Sequence, residues 1–451
     1  MKDLNYYDLT GKVVTREDFS YEEDRKSWNR AIEKYPLVII YCYTEEDVIN
    51  SINWARNNSL PIRIRSGAHN YEGYSTGNDV VVIDVSNMNY IEIDEENNTV
   101  KIQGGVRNRE LYEFLGKRLI PFPGGGCPTV GIIGLTLGGG WGYSARLLGL
   151  AADSLQEIKL INYKGEKIIA NKEKNDDLFW ASLGGGGGNF GIVTSMKFKL
   201  PKKIKMATLI NIDYKHINIE ENINIVEIFQ DEFKSLDRRV NFKMAIYNSK
   251  EKGRGVKITG LFYGDKNEAN EILKPFKNLS DNMDFDLEYM SVLEANRKIQ
   301  DSHPPYESYK STGRFVYKDY TRDEIKNLID LVENREDGSI YTAVSFYGLG
   351  GAIADIDNKS TAFYYRDAKF IMGIQSVWEE AIYAPKNREW VKGKVEYIKT
   401  ITKGTFINFP FVELNDYEKE YYGENLSKLK CIKSKYDPEN VFNFPQSIKL
   451  K

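Results

Sequence analysis

Two glycine-rich stretches constrain this chain more than any other feature of its sequence. Pro121 to Gly142 reads PFPGGGCPTVGIIGLTLGGGWG, and Gly184 to Gly188 is an unbroken run followed by Asn189-Phe190-Gly191. Glycine loses more backbone entropy on folding than any other residue, so such runs suit neither a helix nor a strand interior. They belong in loops where the backbone takes positive φ or meets a ligand with no Cβ in the way. A shorter loop, Arg65-Ser66-Gly67-Ala68-His69-Asn70-Tyr71, has the same character. This loop and the first stretch each hold one reactive side chain. His69 is one of three histidines and Cys127 one of three cysteines. The pairing suggests a phosphate-bearing cofactor held by backbone amides, with two nucleophiles at hand for covalent bonds.

At 451 residues the chain is long enough for two or three domains. Its net charge of −3 is spread along the sequence with both signs interspersed, which gives no footprint for nucleic acid. The first residues, MKDLNYYDLTGKVV, lack the apolar core of a signal peptide, and no apolar run approaches a membrane span. A cytoplasmic protein with no membrane partner, monomeric or homodimeric, is therefore expected. Cys42, Cys127 and Cys431 are far apart and odd in number, so neither a disulfide framework nor a metal site is indicated.

Local patterns divide the chain. Leu37–Tyr41 is an apolar β-branched run; Thr44 with Asp47 three residues on starts a helix reaching about Asn57; Pro61–Arg65 alternates as a strand that ends in the His69 loop. Val80–Asp84 reads as a buried strand, Ile91–Gln103 and Leu155–Ala170 as hairpins, Asn108–Arg118 as an amphipathic helix, and Ile192–Leu200 as a strand. Pro201-Lys202-Lys203 marks a boundary. Beyond it, long strands (207–214, 241–247, 256–263, 341–347, 369–378) alternate with helices (about 219–235, 266–278, 321–333, 385–402), the pattern of an α+β domain with a largely antiparallel sheet. The chain end, with Phe442, Phe444 and Ile448, is apolar enough to dock on an earlier domain.

Two G-x-G-x-x-[GA] matches, at Gly140 and Gly186, raise a nicotinamide-dinucleotide fold. That fingerprint needs a strand before it and a helix after it. Gly186–Gly191 runs into the strand former Ile192-Val193-Thr194, and Gly140 is preceded by more loop, so both fail. No Walker A sequence is present.

IRSGAHNYEGYSTGNDVVVIDVSNMN, GGGCPTVGIIGLTLGGGWGYSARLLGLAADSL and YYGENLSKLKCIKSKYDPENVFNFPQSI together resemble the berberine-bridge-enzyme-like flavin oxidases of the vanillyl-alcohol-oxidase (PCMH-type) superfamily. The resemblance spans nearly the whole chain. It implies an α+β fold with a PCMH-type FAD-binding domain over residues 30–202, a substrate domain over 203–405, and a terminal segment, 406–451, returning to the FAD domain. It implies FAD attached through His69 and Cys127, the imidazole at the flavin's 8-methyl carbon and the sulfur at C6. Arg65, Ser66, Gly67, Ala68 and Asn70 would cradle the cofactor with Gly131, Gly134, Thr136, Gly138, Gly139 and Gly142. Asn189, Gly191, Val193 and Asn443 would line it further out.

The catalytic groups are less legible. Relatives assign proton abstraction to a tyrosine of a Tyr-x-Asn-Tyr segment, and here that segment is Phe406-Ile407-Asn408-Phe409. Phenylalanine cannot move a proton. Gln375 matches a position over the flavin and could orient a hydroxyl with Asn408. Tyr143, Tyr71, Tyr347 and Tyr364 are the remaining bases, Tyr143 first and Tyr364 with Arg366 beside it to lower a phenol pKa. His303 reads as an ordinary loop histidine. The expectation is an oxidase taking hydride from an alcohol, of a saccharide or a secondary metabolite, and passing electrons to O2. An amine (C–N) oxidase and a flavin-binding protein with little turnover are the alternatives.

Overall fold

A computed structural model describes residues 4–451. Three sheets carry the architecture. The first contains β1 (Lys12–Thr15), β2 (Val38–Tyr41), β3 (Ile62–Arg65) and β4 (Val81–Asp84) in the order β1-β2-β4-β3, with β2, β4 and β3 parallel. Val-Ile-Ile and Val-Val-Ile runs in its middle strands are fully buried, as expected where both faces of a sheet are covered. The helix Glu45–Asn57 bridges β2 and β3 and begins with a capping box between Thr44 and Asp47. The sheet starts upstream of residue 30, because β1 pairs along β2.

The second sheet, entirely antiparallel, comprises β5 (Ile91–Asp94), β6 (Thr99–Gln103), β7 (Leu155–Ile161), β8 (Lys167–Asn171) and β9 (Ile192–Lys199), ordered β5-β6-β9-β7-β8. The glycine stretch between β6 and β7 is not loop throughout. Ile132–Leu137 closes into a short helix whose Ile132, Ile133 and Leu137 are buried.

The third sheet is an eight-stranded antiparallel layer: β10 (Met206–Lys215), β11 (Val240–Ser249), β12 (Gly253–Phe262), β13 (Met283–Ser291), β14 (Ser308–Val316), β15 (Ser339–Gly348), β16 (Phe370–Trp378) and β17 (Lys403–Thr405). Period-two alternation decides its two faces. Phe242, Met244 and Ile246 of β11 share a core with Phe229 of helix Ile219–Phe233, Ile325 of helix Arg322–Val332 and Val391 of helix Ala384–Ile401. Lys243, Ala245 and Tyr247, the alternate residues, face the other way, into a cavity.

The sequence pattern does not announce β13, β14 or the helix Val292–Asp301. β13 is an edge strand that alternates Met283, Phe285 and Leu287 with Asp284, Asp286 and Glu288, residue types of low strand propensity. β14 is buried along nearly its whole length yet carries Lys310 and Arg314. Burial is tolerated because both cations are paired: Lys310 with Glu72 at 2.6 Å and Glu413 at 3.0 Å, Arg314 with Glu420 at 2.9 Å.

The terminal segment packs back on the glycine-loop side of the molecule and also touches the third sheet, where helix Tyr417–Tyr422 lies against β17. Lys433 is fully buried and donates to Asp437, to the Asn189 carbonyl and to the Phe442 carbonyl, at 2.6, 2.7 and 2.7 Å. Phe442 joins the core of the first sheet. No helix among the described residues is long and apolar enough to cross a membrane.

Candidate active site

A cavity of about 1210 Å³ lies between the glycine loops and the open face of the eight-stranded sheet. Its floor begins where β3 ends. Ala68 sits at φ +56°, a left-handed conformation that costs energy for a residue with a Cβ. The twist leaves the amides of Gly67, Ala68, His69 and Asn70 with no acceptor among the described residues. Successive unpaired amides around a left-handed residue form a concavity for an anion. Gly131 and Gly134 complete the floor, and a Cβ built at Gly134 would meet nothing within 4 Å. These features fit a phosphate-bearing cofactor lying along bare backbone.

His69 and Cys127 reach the same cavity from their separate loops. The His69 ring stacks on Trp28, centroids 5.0 Å apart, and its Nε2 is 2.7 Å from Thr129 Oγ1. Burial, with Arg107 and His303 adding to it, holds the imidazole pKa down at about 3, so the ring is neutral. Burial pushes the Cys127 thiol up, while Thr129 pulls the other way. Gly191, Val193 and Asn443 also line the cavity.

The roof is the open sheet face. Lys243 on β11 stands directly opposite Tyr347 on β15, its Nζ 5.0 Å from that ring's centroid. Burial alone would depress the Lys243 pKa, but the phenols of Tyr347, Tyr143 and Tyr341 outweigh it, and the ammonium is a fixed cation. The Tyr143 phenol is pushed up to about 12 by burial, against the pull of Lys243. Tyr143 borders Gly126, next to Cys127: a Cβ there would lie 3.5 Å from the tyrosine ring and 3.7 Å from His303. Gln375 and Asn408 also face the cavity, Asn408 fixed by a 2.9 Å bond from Nδ2 to the Leu135 carbonyl. Phe409 stacks on Tyr71 at 5.0 Å and leans on Tyr347, so the position of the expected tyrosine is an apolar wall.

Several expected residues lie elsewhere. Tyr364 does not reach the cavity; it packs against Gly423, and Arg366 beside it is committed to Asp153 by bonds of 2.7 and 2.9 Å. Arg65 is buried beneath the loop, paired with Asp84 and donating to the Asp24 carbonyl. Thr136 is buried on the inner side of its helix. Gly138, Gly139 and Gly142 serve packing between segments: a Cβ at Gly138 would overlap Asn408, one at Gly139 would press on Phe363, and one at Gly142 would clash with the Gly124 carbonyl. Asn189 holds the chain end, accepting from the Ile448 amide at 2.9 Å. Conversely, Trp28, Lys243, Glu307 and Tyr309 line the site with no signal in the sequence, and so does His303, which the sequence presents as an ordinary loop histidine. His303 donates from Nδ1 to the Ile299 carbonyl at 3.0 Å, and burial lowers its pKa. In the sequence it shows only as a histidine followed by Pro304 and Pro305.

The FAD binding domain family matches residues 36–171, and the berberine and berberine-like family matches 405–449. An uncharacterized FAD-linked oxidoreductase of Bacillus subtilis, YgaK, is 34% identical over 446 residues, covering 98% of this chain and 97% of the relative. The chain belongs to the berberine-bridge-like FAD-linked oxidoreductases. This oxidoreductase therefore takes FAD as its cofactor, and the α+β PCMH-type fold is shared with solved structures. BBE-like 1 of Physcomitrella patens superposes with a TM-score of 0.89 at 24% identity, covering 98% of this chain and 97% of that one. Glucooligosaccharide oxidase of Acremonium strictum, described as holding a 6-S-cysteinyl, 8α-N1-histidyl FAD, gives 0.89 at 22%, with 97% of each chain covered.

Proposed function

We propose that this oxidoreductase oxidises an alcohol, with FAD held through both His69 and Cys127 and dioxygen as the final acceptor, releasing hydrogen peroxide. The observation that carries the reading is the convergence of those two nucleophiles, from separate loops, on one cavity beside an unpaired amide nest. FAD supplies the two-electron acceptor for the hydride. The protein's own work is to orient the hydroxyl and take its proton.

Tyr143 is the proposed base and Lys243 the cation that lowers its phenol toward use. Tyr347, opposite Lys243, is the second phenol in reach. Gln375 and Asn408 can donate to the substrate oxygen but cannot accept its proton. A hydroxyl substrate fits a site that invests in a phenol–ammonium cluster, since an alcohol must lose a proton as its hydride leaves. Part of the wall is polar, with Asp213 accepting from Tyr247 at 2.9 Å and Tyr247 stacked near Tyr341. Polar groups beside aromatic faces suit a saccharide hydroxyl, consistent with the carbohydrate oxidase among the structural neighbours.

A peroxide-coupled assay over mono- and oligosaccharides and phenolic alcohols tests this. Peroxide release and anaerobic bleaching of the flavin by a member of the panel are expected. Bleaching without peroxide would refute the oxidase assignment, and amine-specific bleaching would refute the alcohol.

A further inference from the structure

Between the two attachment residues lies a hydroxyl that neither the fold nor the general base uses. Thr129 Oγ1 is 2.7 Å from His69 Nε2 and 3.8 Å from Cys127 Sγ. His69 Nδ1 makes no hydrogen bond to any described residue, and the ring's plane is set by the Trp28 stack. We propose that Thr129 is the positioning residue for both flavin attachments, its single hydroxyl fixing the imidazole tautomer that frees Nδ1 while donating to the sulfur. The proposal rests on the bicovalent reading above.

The argument is one of proton counting. A neutral imidazole has one N–H and one lone pair, and the threonine hydroxyl has one proton and can also accept. If the hydroxyl donated to Nε2, the proton would sit on Nδ1 and the ring could not attack from there. If instead Nε2–H donates to Oγ1, Nδ1 carries the lone pair, and the hydroxyl proton is free to point at Sγ. Only this second arrangement serves both nucleophiles at once. It also supplies the sulfur with a donor as it gives up its proton, where burial alone would disfavour the anion.

Each attachment balances in the same way. At His69 a bond forms from Nδ1 to the flavin's 8-methyl carbon, a C–H bond of that carbon breaks, and the proton on Nε2 leaves. At Cys127 a bond forms from Sγ to C6, the C6–H bond breaks, and the thiol proton leaves. Each step yields two protons and two electrons, which dioxygen takes up as hydrogen peroxide. Once Nε2 has lost its proton it becomes an acceptor, and the Thr129 hydroxyl turns to donate to it.

The test is the attachment state of the purified holoprotein, read by intact mass after acid denaturation and by mapping flavin-bearing peptides. Thr129→Val removes the hydroxyl at nearly constant shape, Thr129→Ser keeps it, and Thr129→Ala is a second hydroxyl-free variant should the valine fail to fold. The wild type and Thr129→Ser are expected to carry both linkages. In Thr129→Val and Thr129→Ala the doubly linked fraction should fall about tenfold, the effect of losing one hydrogen bond to a charged group, while FAD remains bound under native conditions. Both linkages at wild-type levels in either hydroxyl-free variant would overturn the proposal. A wild type with no attached flavin would instead overturn the bicovalent reading, and the role of Thr129 with it.

Discussion

Replacing Tyr143 by phenylalanine should slow anaerobic flavin reduction by about 10²–10⁴-fold, the range supplied by one positioned general base, while leaving the flavin attached. The phenol faces the cavity beside Gly126 and within the field of Lys243, and no tyrosine stands at Phe406 or Phe409 to replace it. Because the Tyr143 phenol lies at about 12, only a small fraction is ionised near neutrality, so the reduction rate should rise with pH through the neutral and alkaline range. Lys243→Met removes the charge that opposes burial. It should slow reduction in the same direction and move the rise to higher pH. Stopped-flow reduction by a substrate from the alcohol panel, measured for each variant across pH, checks all three expectations. A change of less than roughly threefold in Tyr143→Phe, far below the general-base range, would transfer the role to Tyr347.

Truncation after Phe409 should yield insoluble or flavin-free protein. The missing segment contributes ten buried apolar or aromatic residues, from Phe411 and Leu414 through Tyr421, Tyr422 and Leu429 to Phe442 and Ile448. At about 1.5–3 kcal/mol each, their burial exceeds the ~5–15 kcal/mol by which a whole domain is stable. Truncation also strips the partners of Asn189, whose carbonyl accepts from Lys433 and whose side chain accepts from the Ile448 amide. Solubility and the ratio of flavin to protein absorbance decide the outcome. A soluble truncated chain with full flavin content would show that the segment is dispensable to the FAD domain.

The site was legible in the sequence where chemistry depends on rare residue types. A histidine and a cysteine in glycine loops stand out against a background with three of each, and the glycines at 131 and 134 do open onto the cavity. Those at 138, 139 and 142 look identical in sequence but let backbone and side chains of neighbouring segments pack closely. Glycine marks close approach without saying what approaches. Lys243 was invisible for another reason: on its strand it is one of several polar residues, with Asn241, Asn248 and Ser249, and its role arises from the register that sets it opposite Tyr347. Trp28 lies before the expected start of the FAD domain and reaches His69 only through the folded chain. β14 escaped notice because its cations are neutralised by Glu72, Glu413 and Glu420, partners distant in sequence.

The central claim, that His69 and Cys127 both hold the flavin, is tested most directly by the intact mass of acid-denatured protein. The wild type should exceed its polypeptide mass by one FAD and stay yellow when precipitated. His69→Ala and Cys127→Ala should each retain the flavin through the remaining link, and the double variant should release it. Flavin washing out of the denatured wild type, or remaining on the double variant, would contradict the account.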